Sequence, residues 1–441
     1  MPGVNMVNSK NYVGWFRNSA PYINANRNKT FVLMIGSDAL AEEQIKSIIH
    51  DIALLDSLGV RLVIVHGARR QIDHNLRSKG IKCRFHQDLR ITDEKASVCV
   101  RESVGALRTE LEAMLSMGLP NSPMHGARLR VCGGNFVTAR PVGIRDGIDF
   151  CHTGEVRRID CSGIRRALDQ HSIVLLSPLG YSPTGEIFNL SAEDLATETA
   201  IALQADKLIL MCSTQGVLDS SGQLIKELNS QEAQLLLESD KVSAEISRHL
   251  AAACRACQTG VQRAHLVSFK QDGALLTELY TRDGAGTLIA LKNYEQIREA
   301  TIADVGGVIE LIRPLEKQGA LVRRSRELLE KEIGQFSVIE RDGAIIACAA
   351  LYPFNDAHSA ELACLAVSPE YRSGNRGDLL LEIIIRRARQ LGIKKIVAMT
   401  TQSTHWFIER GFELSRIDEL PQSKQTLYNW QRNSQVLSRT L

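Results

Sequence analysis

The sequence predicts an α/β chain in two parts: a parallel-rich sheet sandwiched by helices, then a smaller mixed α+β domain. Three observations predict it. From 28 to about 291, short apolar runs alternate with amphipathic stretches, as buried parallel strands covered on both faces require. "LKNYEQ" at 291–296 is a polar joint. Beyond it two apolar runs flank an Asp-Gly pair, the signature of a hairpin rather than of a crossover.

The elements follow in order. "GWFRNSAPYINANR" (14–27) reads as a helix within an N-terminal arm, 1–26. "KTFVLMIG" is a strand, followed by a helix over 41–58; "VRLVIVHG" is a second strand ending in glycine, with a helix over 68–79. "HSIVLLSPLG", a helix over 192–205, the strand "KLILMC", a helix ending at Gly260 and the strand "AHLVSF" continue the alternation. This first domain is placed at 27–291 and the linker at 292–297. From 298 to 441, "IREATIADVGGVIELI" gives a strand and a helix started by Asp304. "FSVIERDGAIIACAALYPF" gives the hairpin, and "AELACLAV", a turn with its helix, "KKIVAMT" and a short helix closing at "RGF" complete a mixed sheet of four or five strands.

The totals narrow the function. At 441 residues, 44% hydrophobic and 23% charged, the chain has the profile of a soluble globular protein of two or three domains. A net charge of +3 gives no argument for nucleic acid or an anionic membrane as a partner. No apolar stretch approaches the roughly 20 residues that span a bilayer, and "MPGVNMVNSKNYVGWF" lacks a signal-peptide core. A cytoplasmic location is expected. The ten cysteines are scattered through apolar or helical surroundings. Cys254 and Cys257 form one Cys-x-x-Cys pair with no second pair nearby, and a zinc site needs four ligands, so no metal is expected.

The chemistry concentrates in "SPEYRSGNRGDLLLEIIIRRARQ" (368–390). A glycine-bearing turn between strand and helix aims unpaired N–H groups at the helix start, where an anion fits. With "CLAVSPEYR" before it, "DLLL" after it and "WFIERGF" downstream, 298–441 resembles the GNAT acetyltransferases. In that superfamily an Arg/Gln-x-x-Gly-x-Gly/Ala turn holds the pyrophosphate of acetyl-CoA. The resemblance implies acetyl-CoA contacts for Arg372, Gly374, Asn375, Arg376 and Gly377, and backbone contacts to the pantetheine arm from Cys364, Leu365 and Val367. Asn375 stands where glycine is usual, and asparagine tolerates the left-handed conformation better than most residues. Glu361 is the carboxylate of the strand leading into the turn and the candidate base. The usual GNAT acid is a tyrosine, but its position is Phe407, so another hydroxyl must serve: Thr400 is preferred over Thr401, Ser403 and Tyr428.

The first domain resembles the amino acid kinase fold, and within it N-acetylglutamate kinase, stripped of its catalytic groups. Where those kinases read Lys-x-Gly-Gly, this chain reads Met34-Ile35-Gly36-Ser37; where they carry three glycines, it reads Gly67-Ala68-Arg69. Phosphoryl transfer relies on cations and backbone amides, so its loss is expected. By contrast, "HLVSFKQDGALLTELYTRDGAGT" (265–287) keeps the register of arginine-sensitive kinases without a gap. That resemblance implies an L-arginine effector site from Tyr22, His265, Glu278, Gly284 and Gly286, with Glu278 pairing the guanidinium.

A disabled kinase domain joined to a GNAT domain is similar to the bacterial amino-acid acetyltransferases over essentially the whole chain, including "RPLEKQGALVRRSRE" and "LYNWQRNS". The resemblance implies acetyl-CoA as co-substrate, L-glutamate as acceptor and N-acetyl-L-glutamate as product, the first step of arginine synthesis, with feedback by arginine and a homo-oligomer, a hexameric ring. Arg323, Arg324 and Arg432 are the implied cations for the glutamate carboxylates. Two alternatives stay open: a working or bifunctional N-acetylglutamate kinase, and a non-enzymatic arginine-sensing regulator whose GNAT domain only binds CoA.

Overall fold

Apolar runs of five or six residues, too short for helices, build the centre of the first unit. Thr30–Ile35, Arg61–His66, Ser172–Leu176, Lys207–Cys212 and Arg263–Ser268 are buried over nearly their whole length. Side chains on both faces must then be covered, and helices such as Ile45–Ser57, Ala192–Leu203 and Ala244–Gln258 turn apolar faces to them. The computed structural model describes residues 6–118, 122–239, 242–291, 295–341, 343–354, 358–372, 375–420, 425 and 434–441. It divides into two compact units, Met1–Asn293 and Tyr294–Leu441.

The first unit has an eight-stranded sheet in the order Glu227–Asn229, Thr287–Ala290, Arg263–Ser268, Lys207–Cys212, Thr30–Ile35, Arg61–His66, Ser172–Leu176, Arg130–Cys132. Neighbours run parallel except where Arg263–Ser268 meets Thr287–Ala290. The helix read over 41–58 begins at Ile45, because a 3₁₀ turn, Ala39–Ala41, comes first. The N-terminal helix runs Met6–Asn26, and the Asn26 side-chain amide donates to the Leu279 carbonyl at 3.1 Å, fixing its end.

The second unit exceeds the four or five strands expected. Its sheet has seven, in the order Glu295–Glu299, Phe336–Arg341, Ala344–Pro353, Ser359–Val367, Lys395–Thr400, Gln435–Thr440, Glu413–Ser415. Pairing is antiparallel throughout except between Ser359–Val367 and Lys395–Thr400. The short strand Glu413–Ser415 is largely exposed and carries little apolar signal. The hairpin forms as expected around Gly343 at φ 74°; Asp342 lies outside the described residues. Helix Val305–Lys317 starts beside Asp304, but the Asp304 carboxylate turns back to Thr301, whose amide and hydroxyl both donate to it. Helix Arg376–Gln390 packs on one face of the sheet, and Val305–Lys317 with Arg326–Glu332 on the other.

Candidate active site

The two parallel strands of the second unit part where the site begins. Their ladder runs from Ser359↔Lys395 to Leu362↔Ala398, yet the strands continue to Val367 and Thr400. Past the last pair, Ala363 to Val367 have no ladder partner on that side among the described residues. An extended amide-bearing ligand can hydrogen-bond along such an edge.

A bulge decides which side chains share a face. Cys364 is left-handed at φ 52°, and the register with the preceding strand shifts between Cys348 and Ala350. Ala360 and Leu362, then Leu365 and Val367, belong to the core under helix Arg376–Gln390; Cys364 and Ala366 belong to the opposite core. Residues three apart on a regular strand point to opposite faces. The extra residue of the bulge therefore brings Glu361 and Cys364 to the same face.

Arg324 sits on that face. Burial works against its charge, but the neighbouring Cys364, Tyr352 and Glu361 outweigh burial and raise its pKa. Its peptide N–H donates to Glu316 Oε1 at 2.9 Å, and one guanidinium nitrogen donates to the Val322 carbonyl at 3.2 Å. Glu361 is 8% exposed and stands opposite Tyr352 in the ladder. The Tyr352 hydroxyl donates to Glu332 Oε2 at 2.8 Å, and burial and this bond raise its pKa. Burial also pushes the Cys364 thiol up to about 11, so it is a neutral thiol at physiological pH. One guanidinium thus lies among a thiol, a phenol and the Glu361 carboxylate, and Glu316 and Glu332 lie near the same thiol. It can hold a carboxylate while a nearby glutamate takes a proton.

Other residues expected at the site fall differently. Arg323 is exposed; Arg432, Gly374 and Tyr428 lie outside the described residues. Asn375 takes the left-handed conformation, φ 51° and ψ 16°, as its asparagine allows, and makes no side-chain cap on helix Arg376–Gln390. Arg372 is exposed at the same turn. The Arg376 guanidinium is bound to Glu295, with Nε at 2.9 Å from Oε2, and stacks on Tyr371 at 5.1 Å. Its backbone amide, not its side chain, is what it offers an anion at the turn. A Cβ on Gly377 would stand 3.1 Å from Trp406 Cζ2, so a larger residue there needs the indole to give way by a few tenths of an ångström. Phe407 is 6% exposed and stacks edge-on with Trp406 and Phe412, at 5.0 and 5.1 Å. It is a core residue. Thr400 Oγ1 accepts from the Gln402 and Ser403 amides at 3.2 and 3.0 Å, which caps its turn and leaves its O–H free to donate. Thr400 lies two residues past the last ladder pair, as Cys364 does on the other strand.

In the first unit, the five expected effector residues gather around one helix, Ala274–Tyr280. His265 Nδ1 lies 2.7 Å from Glu278 Oε1, and Glu278 Oε2 accepts from the Ala285 and Gly286 amides at 2.7 and 2.8 Å. Both side chains are 5% exposed. Burial pushes the Glu278 carboxyl up, but His265 and the two amides outweigh it and bring it down to about 2. Burial lowers the pKa of His265. Gly284 is at φ 62°, where a Cβ would strike Glu278, and a Cβ on Gly286 would strike the Leu266 carbonyl. Glu278 was expected to face a ligand's guanidinium; its oxygens instead hold the glycine turn. Tyr22 packs against the core cluster to which Leu275 and Leu279 belong.

The cleft where phosphates bind in kinases of this fold has a volume of about 520 Å³. Met34, fully buried, stands in place of the lysine, and Arg69 and Arg248 are paired to Asp88 at 3.2 and 2.7 Å. Among the described residues, no three His, Cys, Asp or Glu side chains are placed to hold a metal ion, and all ten cysteines are free thiols. No helix among them is long and apolar enough to cross a membrane.

Residues 29–268 match the amino acid kinase family and residues 308–412 the acetyltransferase (GNAT) family. An amino-acid acetyltransferase of Azotobacter vinelandii is 58% identical over 98% of this chain and 100% of its own. Among solved structures, N-acetylglutamate synthase from Neisseria gonorrhoeae complexed with coenzyme A and L-arginine is 38% identical, with a TM-score of 0.89 over 98% of this chain and 99% of its own. The same synthase complexed with coenzyme A and N-acetyl-glutamate is 39% identical, with a TM-score of 0.63 over the same shares.

Proposed function

The chain belongs to the amino-acid acetyltransferase family, an amino acid kinase domain joined to a GNAT domain, and on that premise we propose that it transfers the acetyl group of acetyl-CoA to the α-amino group of L-glutamate. The observation that carries the reading is the bulge at Cys364, which sets Glu361 beside Arg324 at the mouth of the parted strands. The pantetheine amides bond along Ala363 to Val367, and the pyrophosphate meets the amides of the Asn375–Gly377 turn. Arg324 pairs with a carboxylate of glutamate, and Arg323 and Arg432 are the candidates for the other.

Glu361 takes a proton from the ammonium, directly or through a water, and the free amine attacks the thioester carbonyl. The tetrahedral intermediate collapses, the C–S bond breaks, and the proton still on the nitrogen passes to the departing thiolate through a hydroxyl, for which Thr400 is the candidate. A thioester is electrophilic enough for an amine, so the reaction as written calls on no metal. The Neisseria synthase is described with coenzyme A, with N-acetyl-glutamate and with L-arginine, which supports both substrates and an effector. L-Arginine acts in the first unit, at the turn that Glu278 holds, by feedback on a homo-oligomer, a hexamer, in the cytoplasm. Because the chemistry lies in the other unit, the effect works through a linked equilibrium. Kinase activity is disfavoured by Met34 and Ala68, which supply no charge to a phosphate.

One assay tests the reading. Thiol release from acetyl-CoA, followed over a panel of amino acids, should be fastest with L-glutamate and should respond to L-arginine. No release with any amino acid, with CoA still bound, would make the chain a sensor. ATP consumption on N-acetylglutamate would restore the kinase reading.

A further inference from the structure

Tyr352 plays no part in the reading of the sequence, yet it stands between the residues that define the site. It faces Glu361 in the ladder, and its ring packs edge-on against Phe336, with centroids 6.5 Å apart at 87°, which limits where its hydroxyl points. That hydroxyl donates to Glu332 Oε2 at 2.8 Å. Glu332 ends helix Arg326–Glu332, and Arg324 lies just before that helix, its amide bound to Glu316. A phenol whose O–H already donates to a carboxylate offers its oxygen to other groups only as an acceptor. The donor at hand is the Arg324 guanidinium, which lies beside it. From this geometry we infer that Tyr352, oriented by Glu332, is a positioning residue that aims the Arg324 guanidinium at a carboxylate of the amino-acid substrate. The inference rests on the reading of Arg324 as a glutamate-binding residue.

Aiming is needed because the Arg324 guanidinium has the Glu361 carboxylate in reach of its charge. A guanidinium that closed on Glu361 would block the base and lose the substrate at once. A carboxylate in place of Tyr352 would neutralise the arginine. A phenol oxygen fixes one edge of the planar fork and leaves its charge and its other edge to the ligand. The same arrangement gives Glu332 a role that needs no contact with substrate.

Steady-state kinetics on the full chain, varying L-glutamate and acetyl-CoA separately, tests it. Tyr352→Phe should raise the KM for glutamate about 10-fold, with kcat within about threefold and the KM for acetyl-CoA unchanged. In an Arg324→Ala background the same change should add less than about twofold, since the group it positions is gone. Glu332→Ala should reproduce Tyr352→Phe, and Glu332→Gln, which still accepts a hydrogen bond, should raise the glutamate KM by less. An equal cost in both backgrounds, or a fall in kcat with KM unchanged, overturns the inference. An unchanged glutamate KM in Arg324→Ala alone overturns the reading of Arg324 instead, and the two failures are thereby told apart. Should Tyr352→Phe fold poorly, the contrast between Glu332→Gln and Glu332→Ala decides: equal KM values in the pair overturn the inference.

Discussion

Replacing Glu361 with glutamine removes the proposed base while disturbing little else. Glutamine has nearly the same volume, keeps the strand's pairs with Tyr352 and Val397, and retains an oxygen beside Arg324. It cannot take a proton at neutral pH. General-base catalysis contributes about 10²- to 10⁴-fold, so turnover should fall by that range, a loss of roughly 3–5 kcal/mol at 1.36 kcal/mol per decade. Because Glu361 is 8% exposed, bulk base reaches the site poorly, and a loss of about 10³-fold is the working figure. Acetyl-CoA affinity should be unchanged, since the pantetheine edge begins beyond Leu362. The assay is thiol release at saturating glutamate, repeated from neutral to alkaline pH. In the variant the deficit should narrow as the amine begins to lose its proton unaided. Wild-type turnover in the variant, or a deficit that stays constant with pH, refutes Glu361 as the base.

Arg324→Ala should raise the KM for glutamate about 10- to 100-fold, the worth of a charge-assisted bond, with the KM for acetyl-CoA unmoved; a loss of coenzyme affinity instead would assign Arg324 to the coenzyme. Gly377→Ala sets a Cβ 3.1 Å from Trp406 Cζ2 and should cost about 1–3 kcal/mol in a melting experiment, with a higher KM for acetyl-CoA. The pair His265–Glu278 sets an acid limit on the first unit. Glu278 is depressed from 4.5 to about 2, so its contribution is full above pH 4.5 and drains as pH falls toward 2. His265, lowered from 6.5, is protonated more readily in the unfolded chain, which destabilises the fold in the same direction below pH 6.5. Glu278→Gln should lower the melting temperature at pH 7 and flatten its pH dependence between 4.5 and 2; an unchanged slope refutes the assignment.

Strands built from continuous apolar runs were legible because burial on both faces leaves no other composition possible, and the Asp-Gly hairpin because its turn chemistry is local. The strand Glu413–Ser415 was not, because it has three residues and little burial, and its place is set by pairing with Gln435–Thr440. The site divides in the same way. Glu361, Cys364 and the Asn375 turn could be found because they lie on one stretch of chain. Tyr352, Glu316 and Glu332 could not, since they come from another strand and two helices that only tertiary packing brings to Glu361 and Arg324. Nothing in "AELACLAV" announces a left-handed cysteine.

The effector segment shows why kept register alone is ambiguous evidence of function. Gly284 and Gly286 are required by packing: a side chain at either would strike Glu278 or the Leu266 carbonyl. Glu278 is required by the two amides and the histidine it holds. A fold under no selection for arginine would need all three. His265 is different. Its Nδ1 is taken by Glu278, but its Nε2 is buried with no hydrogen-bond partner among the described residues. An unsatisfied buried donor or acceptor costs about 1–3 kcal/mol, and the bond to Glu278 engages only Nδ1. His265 Nε2 therefore supports a ligand in the first unit more firmly than Glu278 does.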